Sequence, residues 1–227
     1  MKRAAMIFLT VLLAGVLLIG CGKDEKKGTD NKTTSTDELK KNDTDKTDTK
    51  DDAQGASDED LLSGKHHAEI VIKDHGTIKV ELDADVAPIT VTNFIDLAKD
   101  GFYDGLTFHR IIEGFMMQGG DPNGNGSGGS DKTIKGEFML NGVENTISHL
   151  RGTISMARAT NPDSASSQFF IMHKDNVGLD GQYAGFGFVT EGMEIVDEIC
   201  ESAQPIDNNG TIPAEQQPVI ETIKVTD

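Results

Sequence analysis

Arg110 and Gln118 stand in two strand-like segments among large apolar side chains, Phe108, Ile111, Ile112, Phe115, Met116 and Met117. If those segments pair, a permanent cation, an amide and an apolar floor converge on one face. A second reading, an arginine paired to an acid at the rim of a barrel, fits the same residues. Other chemistries find little support. The six histidines are scattered without an H-E-x-x-H pattern, and the two cysteines, Cys21 and Cys200, are too few for a thiolate site, so no metal is expected. Gly124–Gly129 formally spells G-x-G-x-x-G, but no helix opens after it, and a flexible glycine loop is the expectation. No G-K-[ST] is present to hold a nucleotide, and the serines at 164–167 lack the G-x-S-x-G elbow of a nucleophile.

The elements that must carry these residues are short. Ala68–Ile72 and Thr77–Leu82 alternate about Asp74-His75-Gly76 and read as a hairpin. Pro88 opens a helical pattern that runs to Lys99, with Val91, Phe94, Ile95 and Ala98 on one face. Strand-like runs follow at Thr107–Ile112, Phe115–Gln118, Gly152–Ala157, Gln168–Met172 and Phe186–Val189. A second helix fits Met193–Cys200, and Val219–Val225 closes the chain as a strand. Many short strands with two helices suggest an antiparallel barrel.

Composition separates this part from what precedes it. Residues 22–64 hold 8 lysines, 13 acids and seven threonines but only five apolar side chains, too few to offset the entropy of ordering. They read as a disordered tether with a span of about 35–40 Å. Before them, Met1-Lys2-Arg3 and an apolar run to Gly20 read as a signal segment. Its end, Leu18-Ile19-Gly20-Cys21, resembles a bacterial lipobox, which implies that Cys21 carries lipid and anchors the chain to a membrane outside the cytoplasm. The expected organisation is therefore a lipoprotein signal peptide at 1–20, a lipidated cysteine and linker at 21–64, and one domain at 65–227. Cys200 is left as a single thiol, expected to be buried and inert. The whole chain carries 21 basic and 38 acidic side chains, net −17, and residues 65–227 alone are at −14. With no basic face, nucleic acid is excluded as a partner.

The run Phe108–Asp121, FHRIIEGFMMQGGD, resembles the central signature of the cyclophilins over 14 consecutive residues, with Glu113 where proline is usual. The resemblance continues through RGTISMARA (151–159), SSQFFI (166–171), LDGQYAGFG (179–187) and VTEGMEIVDEI (189–199). It implies a mainly β fold, a closed eight-stranded antiparallel barrel capped by two α-helices. It also implies peptidyl-prolyl cis–trans isomerase activity on proline-containing polypeptides, with no cofactor. By matching position, Arg110 would donate to the twisting amide, Gln118 would orient Arg110, and Phe115, Met116, Phe170 and Leu179 would hold the proline ring. Ala157 and Arg158 would line the peptide backbone, Arg158 replacing an asparagine common in eukaryotic members.

That reaction suits the residues found. Rotation about X–Pro meets a barrier of about 18–20 kcal/mol, while cis and trans differ by only about 0.5–1 kcal/mol. A hundred-thousandfold gain needs about 7 kcal/mol of preference for the twisted state, and no nucleophile or metal. Two positions depart from the family pattern: Gly178 stands where well-known members have tryptophan, and Tyr183 where they have histidine, a tyrosine that can still hydrogen-bond the peptide or wall the pocket. Weak cyclosporin binding is the consequence expected, and a monomer is expected. The alternative is a non-catalytic surface chaperone or proline-peptide-binding module, or an acidic face that docks basic partners.

Overall fold

The computed structural model describes residues 61–227. The expectations for the signal segment, for Cys21 and for most of the linker lie outside them. Eight strands and two α-helices follow: β1 Lys65–Ile72, β2 Gly76–Asp83, α1 Pro88–Lys99, β3 Thr107–Ile112, β4 Met116–Asp121, β5 Thr153–Met156, β6 Phe169–Met172, β7 Gly185–Glu191, α2 Met193–Ser202 and β8 Ile220–Val225. The hairpin β1–β2 turns through Asp74 at φ 65° and pairs Ile70 with Ile78 and Ala68 with Val80, so alternate apolar residues share one face. Proline at its start sets the first turn of α1, but Ala87 at its N-cap has no side-chain acceptor. The buried Glu137 carboxylate replaces it, accepting from Ile89 N (3.0 Å), Thr90 N (2.8 Å) and the Thr90 hydroxyl (2.6 Å). A carboxylate there satisfies orphan donors and opposes the positive end of the helix dipole.

The strands form one antiparallel sheet in the order β3-β4-β6-β5-β7-β2-β1-β8. It curls until its two edges meet, but the expectation of a closed barrel needs correction at that seam. β3 and β8 share no ladder; one bridge, Thr107 to Val219, and bonds such as Phe108 N to Pro218 O (2.9 Å) and Ile220 N to Leu106 O (2.7 Å) join them. The main core fills the interior, with Phe94 of α1 packed against Tyr103, Phe169 and Phe186 at centroid distances of 5.3–5.4 Å. α2 adds Ile195, Val196, Ile199 and Cys200 to it, and burial pushes the Cys200 thiol up to about 12.

Two β-bulges sit where β3 meets β4. Phe108 pairs with Gly119 and Arg110 with Gln118, which leaves His109 as the extra residue on β3; Gly120 is the extra residue on β4. A bulge breaks the period-2 alternation. Phe108 and Ile111 therefore both enter the core, and Arg110 points outward between them.

Candidate active site

The register carries one row of side chains across four strands. Arg110 faces Gln118, Gln118 faces Phe170, and Phe170 faces Ser155. Directly opposed residues share a face, and this face is the outer one. Met117, Phe169, Ile171 and Ile154 belong to the main core, whereas Met116, Phe170 and Met172 form a second apolar cluster with Phe115, Ala157, Leu179 and Tyr183 against it. The site is thus a groove outside the barrel, of about 410 Å³. All nine residues singled out for catalysis or peptide contact line it: Arg110, Phe115, Met116, Gln118, Ala157, Arg158, Phe170, Leu179 and Tyr183.

Arg110 is fixed on two sides. Its Nη1 donates to Gln118 Oε1 (3.2 Å), and its Nε donates to the Asn209 carbonyl (2.7 Å). Gln118 in turn donates from Nε2 to Gln168 Oε1 (2.9 Å), whose own Nε2 reaches the Gly128 carbonyl (2.7 Å). Burial lowers the pKa of the guanidinium, and nearby Tyr183 and Asp207 oppose this; arginine keeps its charge. Asn209 comes close because Gly210, at φ 87°, has no Cβ; one placed there would lie 2.4 Å from Ile112 Cγ1. Phe115 lies beneath the arginine, with Cζ of Arg110 5.9 Å from its ring centre.

The opposite wall rests on a buried histidine. His149 stacks on Phe170 (centroids 6.0 Å, planes 19° apart), and Tyr183 meets Phe170 edge-on at 5.8 Å. The His149 Nδ1 contacts Asp180 Oδ1 at 2.9 Å and its Nε2 contacts the Ser155 hydroxyl at 2.9 Å. Asp180, Nδ1–H, Nε2 and a serine have the connectivity of a hydrolytic triad. Ser155 is wholly buried, however, so it cannot meet a substrate. Burial lowers the pKa of His149, with Asp180 opposing, which favours the neutral ring. Burial alone would raise the Asp180 carboxyl, but hydrogen bonds from Ser148 and His149 hold it below the usual range. Asp180 follows Leu179 directly, so the same histidine supports Phe170 from beneath and anchors the turn that presents Leu179.

Arg158 does not simply line the peptide path. Its guanidinium lies between Phe138 and Tyr183, 4.9 Å and 4.8 Å from their ring centres, and donates to the carbonyls of Gln182 and Ala159. The supposed flexible glycine loop is wound on the Asp121 carboxylate, which accepts from Asn123 N, Asn125 N and Gly126 N at 2.6–3.0 Å. Asn125 and Gly126 join the groove wall, as do His109, Asn209 and Thr211. Neither these residues nor Gln168 carry a residue type or spacing that alone marks a groove. Gln168 stands within the SSQFFI string and was open to discovery there. Asn209 acts through its backbone, which no side-chain pattern reveals. Among the described residues no three His, Cys, Asp or Glu side chains gather as a metal site.

Residues 67–225 match the family model of the cyclophilin type peptidyl-prolyl cis-trans isomerases. The chain is 48% identical over 124 residues to peptidyl-prolyl cis-trans isomerase B of Bacillus subtilis, covering 55% of this chain and 83% of that one. It is 47% identical over 126 residues to a peptidyl-prolyl cis-trans isomerase of Helicobacter pylori, covering 55% and 74%. Among solved structures, a cyclophilin type isomerase of Cryptosporidium parvum superimposes with a TM-score of 0.64 at 29% identity, over 72% of this chain and 99% of that one. The same protein crystallised in the presence of the dipeptide Ala-Pro gives 0.62 at 30% identity, over 71% and 99%. With that match, the outward arginine row and the apolar cluster beside it, the chain belongs to the cyclophilin-type peptidyl-prolyl cis-trans isomerases, the enzymes that rotate the peptide bond before proline.

Proposed function

We propose that this chain isomerises X–Pro bonds in exported polypeptides from a lipid-anchored position outside the cytoplasm, with Arg110 as the group that favours the twisted amide. The observation that carries the catalytic part is the Arg110–Gln118–Phe170 row with its apolar cluster on the outer sheet face. The proline ring packs on Phe115, Met116, Phe170 and Leu179, which fixes one side of the bond. As the other side turns, the amide nitrogen pyramidalises and its lone pair localises. Arg110, already oriented by Gln118 and the Asn209 carbonyl, donates to that nitrogen without first reorganising. Interactions stronger in the twisted state than in either planar state lower the barrier in both directions.

The lipobox-like Leu18–Cys21 and the charged stretch after it support an anchored enzyme whose domain reaches clients beyond the membrane surface. Gly178 is exposed, bears no side chain next to Leu179, and the chain has no tryptophan, which supports weak cyclosporin binding. Exchange NMR on a proline tetrapeptide, using the full-length chain and its Arg110→Ala variant, tests the catalytic part. Catalysed exchange that falls by about a hundredfold or more in the variant is the expected outcome. Exchange no faster than in buffer with the unaltered chain would leave only a peptide-holding protein. Mass spectrometry of the mature N-terminus tests the anchor: a diacylglyceryl mass on Cys21 is expected, and an intact Met1 overturns it.

A further inference from the structure

The turn that lifts Phe115 into the groove is held from outside. Phe115 N donates to the Ile112 carbonyl (3.0 Å) and Gly114 has φ 74°, the pattern of a type II turn with glycine third. Such a turn is stiffest with proline second, where φ near −60° is preset. Here Glu113 occupies that position, exposed and without a ring to preset its φ. The stiffening comes instead from His173, just past the end of β6. Gly114 N–H donates to His173 Nδ1 (2.9 Å), while His173 N and Lys174 N both donate to the Phe115 carbonyl (2.9 and 3.3 Å).

His173 is itself braced. With Nδ1 accepting, its ring proton must sit on Nε2, which faces Asp197 Oδ1 of α2 at 3.2 Å. Arg151 grips the same carboxylate through Nη1 and Nη2 (2.5 and 2.7 Å) and donates to the His173 carbonyl (3.0 Å). The His173 ring lines no part of the groove, and its side chain is only 12% exposed. Yet the residue it clamps touches the groove twice over, as floor for the proline ring and as the aromatic face beneath Arg110.

We propose that His173 is a positioning residue for Phe115: the Arg151–Asp197–His173 brace replaces the stiffness that a proline at position 113 would give. The idea rests on the isomerase reading for its consequence, but its geometry can be tested apart from activity. Four full-length chains suffice: unaltered, His173→Ala, Glu113→Pro, and the two changes together. Glu113→Pro is compatible with the preceding strand residue, and no acceptor among the described residues takes the Glu113 N–H. The readouts are kcat and KM for a proline tetrapeptide, the thermal midpoint, and the aromatic proton shifts of Phe115 by NMR.

In His173→Ala we expect KM to rise about three- to tenfold with kcat changed less than about twofold, the scale seen when contacting residues are uncoupled. Glu113→Pro alone should match the unaltered chain, and the double variant should regain most of the lost KM. The Phe115 signals should broaden or shift in His173→Ala and return in the double variant. Unchanged KM and unchanged Phe115 signals in His173→Ala overturn the proposal. So does a loss of kcat, KM and thermal midpoint together that the proline fails to restore, which is what a merely structural histidine would give. If the unaltered chain proves inactive, the isomerase reading has failed, and the Phe115 signals still decide whether the clamp exists.

Discussion

Arg110, Gln118, Met116 and Phe170 stand on paired strands, whereas Leu179, Tyr183 and Arg158 stand on turns and loops, and the two halves of the groove are held in place by different means. On the strand half, backbone ladders set position: Arg110 is opposite Gln118 and Gln118 opposite Phe170 by register alone. On the turn half no ladder exists, and side chains substitute for it. Asp180 ties the Leu179 turn to His149, and Arg158 is clasped between Phe138 and Tyr183. A ladder is cooperative and tolerates loss of one side chain, whereas a turn held by one buried histidine depends on that histidine. The reacting charge therefore sits on the rigid half, and the parts that meet varied peptide neighbours sit on the half whose supports are individual side chains.

The largest expected effect tests the strand half. Arg110→Lys keeps the charge but loses the planar fork that reaches Gln118, Asn209 and the substrate together, and kcat/KM should fall about a hundredfold in an exchange assay. A loss under about threefold would show that charge alone, and not strand-fixed geometry, does the work. On the turn half, His149→Ala should leave the buried Ser155 hydroxyl unpaired and free both Phe170 and the Leu179 turn. An unsatisfied buried group costs about 1–3 kcal/mol, so the thermal midpoint should drop by about 3–10 °C, with kcat/KM down about tenfold. An unchanged midpoint would mean that the stack on Phe170 needs no support from below.

The pH dependence of stability sharpens the same contrast. Burial lowers the pKa of His149 and of His109, whose ring nitrogens have no hydrogen-bond partner among the described residues. The unfolded chain binds protons on these rings below about pH 6.5, while the folded chain binds them less readily. Their contribution is complete above that pH and declines as pH falls toward the folded-state values. The carboxylates held low in the fold, Asp121, Asp180 and Asp197 among them, add a further loss only below about pH 4. Calorimetry from pH 7 to 5 should show a falling midpoint, and a shallower fall in His149→Gln. The smallest effect belongs to Arg158→Ala. Its guanidinium is occupied by two rings and three carbonyls, so a short peptide should be turned over within about threefold of the unaltered rate. A tenfold loss would assign it direct contact with the peptide.

Much of the fold was legible because its signals are local. The alternation of Ala68–Ile72, the proline and apolar stripe of α1, and the spacing of Ile195, Val196 and Ile199 each express a period of two or of 3.6 residues. The groove residues were legible through their strings, FHRIIEGFMMQGGD above all. Alternation alone misplaces one of them: strict period two through Thr107–Ile112 would put Phe108 and Arg110 on the same face. Only the bulge at His109, which needs the β4 partner to exist, sends one inward and the other out.

The amino-acid sequence by itself determined the order of elements, the apolar faces that drive them together and the inventory of cation, amide and apolar side chains, because these depend on neighbours a few residues apart. The tertiary structure decided what holds each of them. Asn209 reaches Arg110 across 99 positions, Asp197 reaches Arg151 across 46 and Asp180 reaches His149 across 31. Such bonds form only after the strands have closed on one another, since burial, not sequence proximity, brings their partners within reach and out of water.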